Sequence, residues 1–291
     1  MLNRQKIILC MLKKAGGSAS RLHLTKWAFL LAQETPSHNS KTFYQFVPYL
    51  YGPYSFSLAR EMSVLTRDGF IEEPDDRTWK LTRAGFQTAS VLPVSVEHGA
   101  IEVMRKYGDI PLGKLMDSIY TRYPWFTVNS KGKSRRSQAR PIAKSAVHTA
   151  GYEGQTVDGF LNGLAQSGIQ CLIDVRNNPV SRRYGFHKST LSRLCDCLGI
   201  EYRHFPELGI PAENRAGLHA PSDYRALFER YQNEILPRQE ETIQKAAEII
   251  QNRPSVLVCM EANPEFCHRS SLAEALSKLT GLPLRHLVIP R

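Results

Sequence analysis

Along the first ninety positions, apolar residues recur at helical spacing and then change to short alternation. Residues 4–14 carry them three and four apart, which predicts a helix. The segment SRLHLTKWAFLLAQET predicts a second helix beginning after Ser18, and FYQFVPYLYGPYS is aromatic and turn-rich. From Pro53, a third helix is expected through SFSLAREMSVLTRDG, stopping at Gly69. FIEEPDDRTWKLTRAG then predicts two short extended pieces around an acidic turn, with Thr82 capping the next helix. Residues 95–126 predict a helical pair whose buried face carries Leu112, Leu115, Met116, Ile119 and Tyr120. That pair is expected to brace two domains.

Beyond residue 147 the pattern is a regular exchange of strand and helix. AVHTAGYEG, IQCLIDVR, IEYRHFPELG, SVLVCME and LRHLVIP read as strands. TVDGFLNGLAQSG, STLSRLCDCLG, the stretch 221–251 and CHRSSLAEALSKLTG read as helices. The expected fold class is therefore α/β: a mainly parallel sheet with helices on both faces, preceded by a mostly helical winged helix-turn-helix domain. The expected boundaries are 1–126 for the helical domain, 127–146 for a linker and 147–291 for the α/β domain.

Composition adds a direction. The 291 residues hold 38 Lys and Arg against 27 Asp and Glu, a net charge of +11. A basic excess attracts polyanions, so nucleic acid, DNA first, is the expected partner; a merely solvated basic surface is the plainer reading. Residues 127–146 concentrate the charge without an acid. Lys131, Lys133, Arg135 and Arg136 are the expected contacts to a nucleic-acid backbone, or otherwise a solubilising linker. No run of about 18 apolar residues is present, so no membrane partner is expected. Six scattered cysteines do not form a secreted disulfide framework, and a reducing cytoplasm is expected.

The first ninety residues, with YGPYSFSLAREMSVLTRDGFIEE and then WKLTRAG, are similar to winged-helix modules of bacterial and archaeal regulators. They also resemble the antitoxin-like Panacea domains, in which a YGP turn precedes a helix. Residues 147–291 carry GYEG, LIDVRNNPVSRRYGF, YRHFPELG and C-x-E-x5-C-H-R in that order. In order and spacing these resemble the family called domain of unknown function 488. That resemblance implies an α/β fold and a set of signature positions, and no reaction.

Each signature falls at the carboxyl end of an expected strand, where parallel sheets bind ligands. Asp174 and Glu261 are the candidate catalytic pair, able to divide acid and base duties; ion pairs to Arg176 and Arg269 are the plainer reading. Arg269, near a helix start, with Arg176, Arg182 and Arg183, suits a phosphate. Tyr152 and Glu153 lie in a glycine turn where a ring could stack on a base. Phe186, His187, Tyr202 and His204 are further pocket candidates, though Tyr202 also suits packing in the sheet. Cys267, at a helix start, could carry a lowered thiol pKa, with His268 beside it. Cys259 suits a buried structural role. Cys267 and His268 are counted with the substrate- or phosphate-binding candidates. A Cys267 thiolate nucleophile and a metal site at Cys259, Cys267 and His268 stay open as alternatives, but no C-x-x-C or H-x-x-x-H spacing is present, so no metal and no cofactor is assigned. The expected function is a DNA-binding, nucleic-acid-processing enzyme acting on a base, sugar or phosphodiester. N-glycosidic base excision or another nucleotide-directed hydrolysis, in repair or phage defence, fits these groups. A transcriptional regulator sensing a nucleotide-like ligand and a toxin–antitoxin interaction module remain open.

Overall fold

The computed structural model describes residues 1–35, 43–90, 94–131, 138–215 and 221–290. The chain forms two compact units, Met1–Ala139 and Arg140–Arg291. The division falls inside the expected linker.

The first unit runs α1 (Asn3–Lys14), β1 (Ser18–Ser20), α2 (Arg21–Glu34), the hairpin β2 (Val47–Tyr49) and β3 (Gly52–Tyr54), then α3 (Phe56–Arg67). It continues with β4 (Ile71–Asp75), β5 (Thr78–Leu81), α4 (Arg83–Thr88), α5 (Val94–Tyr107) and α6 (Leu112–Arg122). Two helix starts differ from expectation. Ser18–Ser20 pair antiparallel with β5, so α2 begins only after Ser20, whose Oγ accepts the His23 N–H at 3.1 Å. Pro53 lies in β3 opposite Pro48 and does not open a helix; Ser55 caps α3 instead, accepting the Leu58 N–H at 3.2 Å. Strands β1, β5 and β4 form one antiparallel sheet. The α5–α6 pair, expected as a brace, belongs to the first unit's own core: Ala100, Val103, Leu115 and Ile119 pack with Leu9, Leu12 and Phe29.

The ends of the expected linker are attached. Asn129 Nδ2 donates to the Pro48 carbonyl at 3.1 Å, and Lys131 N–H to the Leu50 carbonyl at 2.8 Å. Arg140 donates to the carbonyls of Leu198 (2.6 Å) and Ile169 (2.8 Å) in the second unit. Lys131 is exposed, its ammonium 5.8 Å from the Tyr51 ring centroid. Lys133, Arg135 and Arg136 lie outside the described residues.

The second unit alternates as expected: β6 (Val147–Gly151), α7 (Val157–Gln166), β7 (Cys171–Asp174), α8 (Lys188–Cys197) and β8 (Glu201–His204). Then come α9 (Pro221–Arg230), α10 (Glu240–Asn252), β9 (Ser255–Cys259), α11 (Arg269–Thr280) and β10 (Leu284–His286). The five strands are all parallel in the order β10-β6-β9-β7-β8. Strands β7 and β9 are buried at every position, as strands covered on both faces must be. From β6 the chain moves across the sheet toward β7, whereas from β9 it moves the opposite way to β10. Connections leaving neighbouring strands in opposite directions open a crevice at their carboxyl ends. Among the described residues no helix is long and apolar enough to cross a membrane.

Candidate functional site

Two glycines let the loops meet at that crevice. A side chain at Gly151 would place its Cβ 1.8 Å from the Glu261 carbonyl oxygen, and one at Gly209 would come 2.1 Å from the Asn177 nitrogen. Backbone approach this close excludes any other residue. The GYEG turn is stitched to the loop after β9: Glu153 N–H donates to the Met260 carbonyl (2.8 Å), and the Glu153 carboxylate accepts the Ala262 N–H (3.0 Å). From below, the buried Arg269 guanidinium donates to the carbonyls of Glu261 and Ala262, the latter at 3.1 Å. Glu153 and Arg269 thus shape the loop that carries Glu261. Arg269 makes neither the carboxylate pair with Glu261 nor an open anion site: its Nη1 and Nη2 donate to backbone carbonyls, and its buried Nε meets no partner among the described residues.

Asp174 is fully buried and its oxygens are occupied. One accepts Arg176 N–H (3.1 Å) and Nε (2.8 Å); the other accepts Arg176 Nη2 (2.5 Å) and the Tyr202 hydroxyl (2.6 Å). Arg176 then donates from Nη1 to the Tyr152 hydroxyl and the Phe186 carbonyl, each at 2.8 Å. His204 Nε2 lies 2.8 Å from the Arg176 carbonyl. A carboxylate so engaged orients the arginine and has no lone pair left for a substrate proton. The ring of Tyr152 is buried and stacked on Phe186, with centroids 4.1 Å apart and planes 11° from parallel. It is therefore not the exposed base-stacking ring expected from its glycine turn; apolar contact with Phe186 and Phe160 draws it inward. Arg182 and Arg183 are exposed, and no carboxylate among the described residues pairs with Arg182. His187 is exposed, with Nδ1 3.2 Å from Ser189 Oγ.

On the other side of β9, Cys259, Cys267 and His268 are all buried, and their ligand atoms lie within 4.8 Å of one another. Cys259 Sγ is 3.1 Å from a Glu261 carboxylate oxygen and 3.9 Å from His268 Nδ1. His268 Nε2 is 3.1 Å from the Val175 carbonyl. A carbonyl only accepts, so Nε2 carries the proton and the Nδ1 lone pair faces the thiols. Burial pushes the Cys267 thiol well above its ordinary pKa, so the lowered value expected of a helix-start cysteine does not hold: desolvation outweighs the helix end. Burial alone would raise the Glu261 pKa, but thiol hydrogen bonds from Cys259 and Cys267 bring it below its ordinary value. Glu261 is the half-exposed carboxylate of this rim, ionised near neutral pH.

Above these groups lies a cavity of about 140 Å³ lined by Tyr152, Arg176, Asn177, Asn178, Ile210 and Cys259, with Val180 and Met260 at its edge. Its volume is below the roughly 300 Å³ at which drug-sized ligand pockets begin, and suits a single small planar or tetrahedral group. Sequence reasoning placed Tyr152 and Arg176 here, gave Cys259 a buried structural role, and missed Asn177, Asn178, Val180, Ile210 and Met260. The Asn-Asn pair directly after a strand-end Arg was the one available signal.

Sheet order and strand-end loops define the second unit as a parallel α/β domain with a crevice at the carboxyl ends of its strands. Residues 156–276 match the family described as Domain of unknown function DUF488, so this unit carries a domain of that family. The match is narrower than the motif resemblance, leaving the GYEG turn and β10 outside it. No curated protein and no solved structure matches the chain.

Proposed function

We propose that the chain is a DNA-directed hydrolase. In this reading the first unit holds the nucleic acid, and the strand-end cavity of the second receives one base-sized group. The cavity carries the reading. It lies where parallel sheets bind ligands, its arginine is already neutralised by Asp174, and Asn177 and Asn178 line it, with Asn177 Nδ2 donating to the Pro206 carbonyl at 3.1 Å. Those are contacts for a neutral, heteroatom-rich ring more than for a free phosphate. Charge supports the division of labour. The first unit has 20 Lys and Arg against 11 Asp and Glu, the second 18 against 16. Helix α3 exposes Arg60, Ser63 and Arg67 along one face, the placement of a groove-reading helix.

A base inside a duplex must leave the stack to enter so small a cavity. Glu261, ionised at the edge, then activates the attacking water, and N-glycosidic cleavage is the reaction this arrangement favours. Asp174 acts through Arg176 as a positioning residue. The chain works in a reducing cytoplasm, which keeps its six thiols free. The test is base release from end-labelled DNA carrying a panel of damaged and modified bases. Glu261→Gln keeps size and polarity; it should retain DNA affinity and lose turnover by about 10²–10⁴-fold. Turnover at the wild-type level in that variant overturns the role of Glu261.

One observation favours a second reading. The β4–β5 turn carries exposed Asp75 and Asp76, charges that repel phosphate. A protein-binding winged module would explain them, and it would bind a protein partner with no salt-dependent affinity for DNA.

A further inference from the structure

We infer that Cys259, Cys267 and His268 bind a thiophilic divalent cation, zinc being the fitting ion, at the wall of the cavity. The inference deepens the hydrolase reading and rests on it only for the use made of the ion. Three observations carry it. First, a tetrahedral zinc with Zn–S of about 2.3 Å and Zn–N of about 2.0–2.1 Å separates its ligand atoms by roughly 3.5–3.8 Å. Here Cys259 Sγ stands 3.9 Å from His268 Nδ1, and all three ligand atoms lie within 4.8 Å of one another. Second, the Val175 carbonyl fixes His268 in the tautomer that turns a lone pair toward the two sulfurs. A histidine ligand held by a backbone carbonyl through its other nitrogen is the usual outer-shell arrangement of zinc sites. Third, the elements are rigid. Cys259 closes the central strand, and Cys267 and His268 stand immediately before α11, whose first residue Arg269 anchors the intervening loop.

Two thiols and an imidazole also match the ligand preference of zinc over harder cations. The set supplies three protein ligands and leaves a fourth position for water, the pattern of catalytic and not structural zinc. Binding converts two thiols to thiolates and releases two protons, so affinity rises with pH. The thiols that donate to the Glu261 carboxylate are then gone, and that carboxylate becomes the acceptor for a proton of the bound water. Bound there, the ion would supply Lewis acidity to a water in the fourth position, whose proton Glu261 would take. Attack of that water on the sugar carbon would break the N-glycosidic bond, and the base held in the cavity, whose wall includes Cys259, would leave with the bonding pair.

The test is a cobalt(II) titration of the reduced, metal-free full chain, with zinc as competitor. The expected result is about one equivalent bound, with a thiolate-to-cobalt charge-transfer band and the intense visible bands of tetrahedral cobalt, both abolished by excess zinc. Cys267→Ser should lose the charge-transfer intensity while its far-UV circular dichroism is kept. Cys197→Ser, a half-buried thiol on α8, should leave the titration unchanged, and Glu261→Gln should keep the stoichiometry. A folded wild-type chain that shows no charge-transfer band overturns the proposal, as does a band that survives in Cys267→Ser. So does a Cys259–Cys267 disulfide in place of the metal. Metal bound at one equivalent with no base released from any DNA would leave this site standing and defeat the hydrolase reading.

Discussion

Lys26 shows how much a single side chain can set against the fold that holds it. It lies on α2 with 1% of its surface exposed, and its ammonium donates to the Pro53 carbonyl at 2.9 Å. Burial lowers its pKa from 10.5 to about 7. Between these values the unfolded chain binds the proton that the folded chain has released. Stability therefore rises as pH climbs from about 7 toward 10.5, by an amount on the order of a few kcal/mol. Lys26→Met removes the proton linkage. It leaves the Pro53 carbonyl unpaired, at about 1–3 kcal/mol. Urea unfolding at pH 7 and pH 9.5 should give a rising free energy for the wild type and a flat one for the variant. An unchanged rise in the variant would place the linkage elsewhere. Asp174 is the counterpart in the second unit, a buried charge kept by pairing. Its neighbour at i+2, Arg176, was a legible partner, because both sit at one strand end. The hydroxyl of Tyr202, arriving from β8, was not.

Individual elements fix the site through close approach. Gly151 ends β6 where β9 hands the chain to Glu261, and an added methyl would strike the Glu261 carbonyl. Gly151→Ala should cost about 1–3 kcal/mol in the denaturant midpoint as the loop is displaced. Gly113→Ala on α6, where nothing lies within 4 Å, should be neutral or stabilising by up to about 1 kcal/mol. Equal effects would mean that the loop yields freely. The strand and helix order of the second unit, and the helices and β4–β5 pair of the first, were legible from periodicity, because the two periods of side-chain facing are built into the backbone. What escaped was set by contacts distant along the chain. Ser18–Ser20 became a strand because β5 lies beside it, and Pro53 entered a hairpin instead of opening α3. Tyr152, in a turn with no periodicity, gave no sign of its burial against Phe186. The convergence of Cys259, Cys267 and His268 depends on the path of residues 260–266. No ligand spacing reveals that path.

At the scale of the whole chain, charge and chemistry are segregated. The first unit holds +9 of the net +11, by its 20 basic and 11 acidic residues, and the catalytic candidates lie in the nearly neutral second unit. Such a division predicts that affinity for DNA is carried by phosphate contacts of the first unit and is steep in salt. Each phosphate contact contributes about 0.9 to the slope of log K against log salt. Arg60→Ala and Arg67→Ala, on the exposed face of α3, should each flatten that slope by about 1 while leaving the thermal midpoint nearly unchanged. Arg182→Ala should instead alter turnover more than binding, because this exposed residue lies on the loop after β7, two positions beyond the cavity-lining Val180, and outside the basic unit. Fluorescence anisotropy between 50 and 200 mM salt, on the order of the range where such contacts are lost, separates the two effects. If α3 contacts no phosphate, both α3 variants will keep the wild-type slope. The exposed acids of the β4–β5 turn would then make the protein-binding reading of the first unit the better one, with the cavity chemistry of the second unit unaffected.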